Sequence, residues 1–159
     1  MSEPQALPNE IRGVMLSVTG GRVLVPSTTM AEVITYAHPA PVEAAPPWLL
    51  GRLAWRGWNV PVLAFSVLAG VAAHEPAENS RVAILKALTG HVRLPYFGVL
   101  TQGFPRLTLI SQASLLPDGE AGEPPIGVRE RVRVHDEPAW IPDLAAVESL
   151  IVGALAAAA

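Results

Sequence analysis

The sequence predicts a mainly β domain of short strands that ends in one helix. The first indication is the 16 Pro and 13 Gly among 159 residues, which fall between short apolar runs. The second is that several runs alternate apolar and polar residues, the period of a strand with one buried face. The third is a composition of 50% hydrophobic and 16% charged residues, which is typical of one folded domain and argues against disorder.

The first elements are a tail and a β-hairpin. Residues 1–10 are polar and contain prolines, which is typical of a loose tail. Residues 11–18 predict a strand with Val14, Leu16 and Val18 on one face. Residues 22–25 predict the returning strand, because the glycine pair between the two runs tolerates positive φ.

A capping-box pattern follows in Thr29-Met30-Ala31-Glu32, where the Thr hydroxyl and the Glu side chain can satisfy N–H groups at a helix start. It predicts a short helical turn from Met30 to about Ile34. Two interpretations of Glu32 stay open at this point. It caps the turn only, or the turn exposes it beside Met30 and Val33 as a recognition patch.

Residues 48–65 are the most informative stretch and predict a second hairpin, reached through a stiff proline-rich connection over residues 38–47. Gly57 supplies the backbone freedom that a tight reversal requires. Pro61 lacks an N–H, so the outgoing strand is predicted to lie at a sheet edge or to begin there. The turn holds Arg56 between Trp55 and Trp58. Trp and Arg dominate binding hot spots, so one interpretation is a binding site. The other is that both Trp side chains lie in the core and Arg56 only caps the turn, and it explains the pattern equally well.

The second half predicts further short strands and a terminal helix. A helical turn or strand end is expected at 66–70, and a polar surface loop between two halves at 74–80. Strands are predicted at 81–88, 91–100 (with an irregularity at Pro95), 106–110, 126–134 and 139–141, with an acidic loop at 117–125. Asp143 is positioned to cap a helix whose apolar residues recur at helical spacing as far as Ala157.

Composition and motifs argue against several classes of function. A net charge of −3 gives no electrostatic reason to expect nucleic-acid binding. The absence of Cys excludes disulfides and thiol chemistry, and no secretory signal is recognisable at the start. The apolar tract over 144–159 is interrupted by Glu148 and Ser149, so no membrane insertion is expected and a cytoplasmic protein is predicted.

No catalytic, metal or cofactor pattern is present. The four histidines, His38, His74, His91 and His135, are dispersed and have no ligand spacing. Gly20-Gly21 precedes a strand, not a helix, so it is not a phosphate-binding loop. We therefore predict a non-enzymatic protein without cofactor or metal.

The hairpin carries a family resemblance. Gly51, Arg56-Gly57 and Val60-Pro61-Val62 stand at the spacing of the motif found in CheW-like chemotaxis coupling proteins, which the chain resembles. Ala64 replaces the usual Asp, Trp55 the usual Leu, and Thr101-Gln102 an acidic position of the second half. The resemblance extends over most of 11–151 and implies two small five-stranded β-barrel subdomains that share a core. The implied limits are a tail at 1–10, a domain at 11–152, barrels at about 14–73 and 80–141, and a helix at 143–157.

The resemblance also implies a function. CheW-like proteins are adaptors that couple a chemoreceptor tip to the regulatory domain of a CheA-type histidine kinase. The partner-binding residues expected on this basis are Met30, Glu32, Val33, Trp55, Arg56, Gly57 and Trp58. The departures suggest a specialised branch, such as one serving twitching motility through type IV pili. The alternatives are a small-molecule binder with Trp55, Trp58 and Trp140 around a cleft, and a hydrolase built from scattered His and acidic residues.

Overall fold

Eleven strands form two sheets in the computed structural model of the protein, which describes residues 10–118 and 122–157. The elements are β1 (Ile11–Val18), β2 (Gly21–Pro26), a 3-10 turn (Ser27–Thr29), β3 (Met30–Thr35), β4 (Leu49–Trp55), β5 (Trp58–Leu63), α1 (Phe65–Leu68), β6 (Arg81–Lys86), β7 (Tyr96–Thr101), β8 (Arg106–Ile110), β9 (Leu115–Pro117), β10 (Val128–Val134), β11 (Glu137–Pro142) and α2 (Leu144–Ala157). The prediction of a mainly β fold with two subdomains and a C-terminal helix is confirmed, although one sheet has six strands and not the five expected of each barrel.

The sheets do not follow the chain order that the predicted barrels at 14–73 and 80–141 imply. One sheet has six strands in the order β8-β1-β2-β11-β10-β9, and the other has five in the order β3-β6-β7-β5-β4. The first hairpin therefore pairs with the last third of the chain, and the middle of the chain forms the five-stranded sheet. Most neighbouring strands are antiparallel, and only β2–β11 and β5–β7 pair in parallel among the described strands.

Three apolar clusters make up the core. The largest is shared by both sheets and α2, and it includes Leu16, Phe65, Phe97 and Ile151. Each sheet also has a cluster of its own on its other face: Met15, Leu24, Ile110, Val132, Val134 and Ala139 in the six-stranded sheet, and Leu53, Val60, Val62, Val82, Ile84 and Leu100 in the five-stranded sheet. Two subdomains thus share one central core, with α2 packed against it.

Several local predictions agree with the structure. Strand β1 has the predicted limits, and β8 does as well. The last hairpin turns at His135 and Asp136, both with positive φ. Asp143 caps α2, because its Oδ1 accepts a hydrogen bond from the backbone N–H of Ala146 at 3.1 Å. Residues 1–9 of the predicted tail and residues 119–121 of the acidic loop lie outside the described residues.

The helical turn predicted from Met30 to about Ile34 is wrong, because this segment is strand β3. Its β-branched residues Val33, Ile34 and Thr35 favour the extended conformation, and they pair in register with β6. The Thr29 hydroxyl does not cap a helix that starts here. It donates to the backbone oxygen of Pro26 at 2.7 Å, within the 3-10 turn that precedes the strand.

The edge position predicted for the strand of Pro61 is also wrong, since β5 lies between β4 and β7. The backbone of Arg52, which is opposite Pro61, exchanges both of its hydrogen bonds with Ala40. Pro61 is therefore in a non-hydrogen-bonded pair with β4. On its other side, pairing with β7 involves only Val62 and Leu63. The sheet therefore loses no backbone hydrogen bond because Pro61 lacks an N–H.

The predicted surface loop over 74–80 contains a buried carboxylate. Glu75 is only 4% exposed. It accepts hydrogen bonds from the backbone and hydroxyl of Thr19 at 2.9–3.1 Å, from Gln102 Nε2 at 2.6 Å and from the Ser66 hydroxyl. These donors come from the β1–β2 turn, the end of β7 and α1. Glu75 therefore connects elements of both sheets.

A second carboxylate links strands of the six-stranded sheet at the surface. Glu137 Oε1 in β11 accepts from Arg106 Nη2 in β8 at 2.7 Å and lies 3.9 Å from Arg22 Nη1 in β2. The hydrogen bond and charge of Arg106, together with the charge of Arg22, lower the pKa of Glu137 below its ordinary value of 4.5.

Candidate functional site

The two outer strands of the five-stranded sheet contact each other through side chains. Glu32 Oε1 in β3 accepts a hydrogen bond from Trp55 Nε1 in β4 at 3.0 Å and lies 2.8 Å from Arg56 Nη2. The chain just beyond β3 also bridges to β4, through the backbones of Ala40 and Arg52. The sheet is therefore curved until its edges meet, and the contact between β3 and β4 closes it.

Arg56 lies at this closure in a two-residue turn. Arg56 and Gly57 have φ of 47° and 82°, the paired positive values that a tight hairpin turn between twisted strands requires. The Arg56 guanidinium stands 5.3 Å from the Trp55 ring centroid, within cation–π range. Its side chain is nevertheless 70% exposed. The group is held by Glu32 and Trp55 and still faces solvent.

An aromatic group continues this surface. Tyr96 packs edge-on against Trp55, with ring centroids 4.9 Å apart, and it also contacts Trp58 at 6.0 Å. Trp58 is 47% exposed. We call Glu32, Trp55, Arg56, Trp58 and Tyr96 the edge cluster. Sequence reasoning missed Tyr96, because β7 follows the hairpin by some thirty residues and reaches it only through sheet pairing.

Met30 and Val33 do not join the edge cluster. Met30 packs against the central core shared by both sheets. Val33 pairs with Ala83, a member of that same core, and alternation places it on the opposite face from Glu32. Glu32 is therefore the one residue of the predicted β3 patch that reaches Arg56.

Comparison with known proteins agrees with this architecture. A family model for the CheW-like domain matches residues 12–150. The chain belongs to the CheW-like domain family. The fold is similar to that of the scaffolding protein TtCheW from Thermoanaerobacter tengcongensis, with a TM-score of 0.70, 16% identity and 91% of each chain covered. No curated protein matches the chain. CheW-like domains are scaffolding modules of chemotaxis signalling.

The two motif glycines of this CheW-like domain have different roles. A Cβ at Gly51, where φ is 142°, would overlap the backbone oxygen of Ala40, so the close approach of the proline-rich connection to β4 requires glycine. A Cβ at Gly57 would meet nothing within 4 Å. Gly57 is therefore required only for its positive φ.

The alternatives to an adaptor find little support in the geometry. Trp140 lies near Phe65 and the β2 residue Gly21, away from Trp55 and Trp58, so the three indoles do not surround one cleft. Within the described ranges no three His, Cys, Asp or Glu side chains are grouped as metal ligands. His135 Nε2 contacts the backbone oxygen of Leu109 at 2.9 Å, not a nucleophile. No described helix has the length and hydropathy to cross a bilayer.

Proposed function

We propose that this CheW-like domain couples a chemoreceptor to a CheA-type histidine kinase through protein–protein contacts. The expected partners are the regulatory domain of the kinase and the cytoplasmic tip of the receptor. Binding to these partners requires a cytoplasmic location. The observation that supports the proposal is the exposed Arg56 guanidinium held by Glu32 and Trp55.

The geometry favours Arg56 as a binding residue. The Arg56 guanidinium has five N–H donors, and its Nη2 lies 2.8 Å from Glu32 Oε1. The remaining donors can reach a carboxylate or carbonyl of a partner. The ring of Trp55 and the positive-φ turn restrict the side chain before binding, which lowers the entropy lost on association. Trp58 and Tyr96 add aromatic area beside it, the residue types that dominate hot spots.

Two of the departures from the family motif, Ala64 and Thr101, lie inside the protein. Ala64 is 1% exposed and Thr101 is fully buried, with its hydroxyl donating to the backbone oxygen of Ser17 at 3.1 Å. Gln102 donates to the buried Glu75. These three positions therefore serve internal contacts, whereas the remaining departure, Trp55, belongs to the edge cluster. A role in twitching motility stays a prediction.

The test is binding of the kinase regulatory domain and the receptor tip, each measured by calorimetry against wild type, Arg56→Ala and Arg12→Ala. We expect Arg56→Ala to lose at least about 1–2 kcal/mol, or about 5- to 30-fold in affinity, for one partner or both. Arg12 is an exposed arginine of the other sheet and serves as the charge-matched control. Unchanged affinity of Arg56→Ala for both partners, with an unchanged circular dichroism spectrum, would contradict the proposal.

A further inference from the structure

A cavity of about 400 Å³ lies between the β4–β5 hairpin, the β6–β7 connection and the last turns of α2. None of the edge-cluster residues lines it. We call it the basic cavity. Its lining residues are Arg52, Asn59, Pro61, His91, Arg93, Leu94, Val152, Leu155 and Ala156. The volume is within the range of about 300–1,000 Å³ that small-molecule sites occupy.

The polar side of the basic cavity has donors but no acid. The side chains of Arg52 and Arg93 are exposed, and their guanidinium groups contact no acceptor among the described residues. Arg22, Arg56 and Arg106, by contrast, each lie within 4 Å of a carboxylate. Two guanidinium groups without a carboxylate partner therefore line one cavity, in a protein whose net charge is −3.

His91 adds a third donor. Its Nδ1 accepts a hydrogen bond from the backbone N–H of Arg93 at 3.2 Å. In the neutral imidazole this leaves the proton on Nε2, which is then a donor. Asn59 contributes an amide with two further N–H groups.

The remaining lining is apolar. Leu94 is 1% exposed, and Pro61 of β5 is also buried. Val152 and Leu155 of α2 pack against the central core and turn part of their surface to the cavity. A hydrated inorganic anion would leave this apolar surface in contact with water, while an uncharged apolar molecule would leave both arginines without a partner.

We propose that the basic cavity binds a small anionic amphiphile, a molecule with a carboxylate or phosphate head and an apolar body. The head accepts charge-assisted hydrogen bonds from Arg52 and Arg93. The body covers Leu94, Val152 and Leu155. This site is independent of the proposed adaptor function, because its ligand is a small molecule and its residues lie outside the edge cluster.

Titration calorimetry with octanoate, octyl phosphate, octanol and inorganic phosphate tests the proposal and separates the two head groups. We expect octanoate or octyl phosphate to bind at least about tenfold more tightly than either octanol or inorganic phosphate. The double variant Arg52→Gln/Arg93→Gln should lower that affinity at least tenfold, while Arg12→Gln leaves it unchanged.

Methyl NMR spectra of the same titration locate the ligand, because shifts are expected at Leu94, Val152 and Leu155. Each variant replaces exposed side chains, and its melting temperature checks that it is folded. Octanol binding as tightly as octanoate, equal affinity in the double variant, or no binding of either anion at millimolar concentration would overturn the proposal.

Discussion

Glu32 and Trp55 belong to the two strands that are farthest apart in the five-stranded sheet, yet their side chains share a 3.0 Å hydrogen bond. The bond joins residues 23 positions apart in the chain. A protein that docks on Arg56 would therefore contact both edges of the sheet at once. The first prediction concerns this bond.

Trp55→Phe should lower the free energy of unfolding by about 1 kcal/mol, because it removes the Nε1 donor to Glu32 and retains a ring against Tyr96. Thermal denaturation measures the change, which corresponds to about 2–4 °C for a domain of this size. Trp58→Phe is the matched control, since no hydrogen bond of its indole is present among the described residues. Equal losses in both variants would argue against a contribution of the hydrogen bond.

Gly51→Ala should destabilise the protein by about 2–3 kcal/mol, because the new Cβ overlaps the backbone of Ala40. The proline-rich connection and β4 cannot move apart without breaking the bridge between Ala40 and Arg52. Gly57→Ala should cost only about 1 kcal/mol of backbone strain, since the space around it is open. Urea denaturation of both variants measures the difference. A larger loss for Gly57→Ala would contradict the assignment of roles.

Glu75→Gln should lower the free energy of unfolding by about 2–3 kcal/mol, although the two side chains have nearly the same shape. The amide would bring N–H donors to a position where Thr19, Ser66 and Gln102 already donate. Urea denaturation measures the loss. The neighbouring Glu78→Gln is exposed and should stay within about 0.5 kcal/mol of wild type. Similar values for the two variants would show that the buried hydrogen bonds matter little.

The ion pair of Glu137 predicts a dependence of stability on pH. Its pKa is lowered in the folded state, so the folded protein binds fewer protons and the contribution is fully present above pH 4.5. That contribution is lost as the pH falls through the folded-state pKa. The difference in unfolding free energy between wild type and Glu137→Gln should therefore shrink below pH 4.5. Glu130→Gln, an exposed carboxylate of β10, is the control, and a difference that is constant from pH 7 to pH 3 would refute the prediction.

Local signals in the sequence were sufficient for much of the fold. The glycine pair after Val18, the Arg56-Gly57 turn and the Asp143 cap each depend on neighbouring residues, and all three are present in the structure. The prediction of a helical turn at Met30 was wrong because a capping-box pattern involves only four residues. Sheet pairing with β6 decided the conformation instead.

Contacts between distant residues were not predictable in this way. Glu75 lies in a polar loop whose composition indicates solvent exposure, and its partner Thr19 is 56 residues away. The edge cluster was predicted in part, since Trp55 and Arg56 are adjacent in the chain. The pairing of the strands decides that Tyr96 contacts Trp55 and that Met30 packs against the central core, and neither contact is visible in the local sequence.

The six-stranded sheet combines strands that are distant in the sequence, so it cannot be completed until β11 has been synthesised. The β1–β2 hairpin is synthesised before the five-stranded sheet, and its neighbours β8 and β11 are synthesised after it. The intervening five-stranded sheet is complete once Thr101 has emerged. Until then, Leu16 and Val23, which face the central core, lack the residues of the five-stranded sheet that pack against them. The first hairpin therefore exposes apolar surface during translation, which raises its tendency to aggregate.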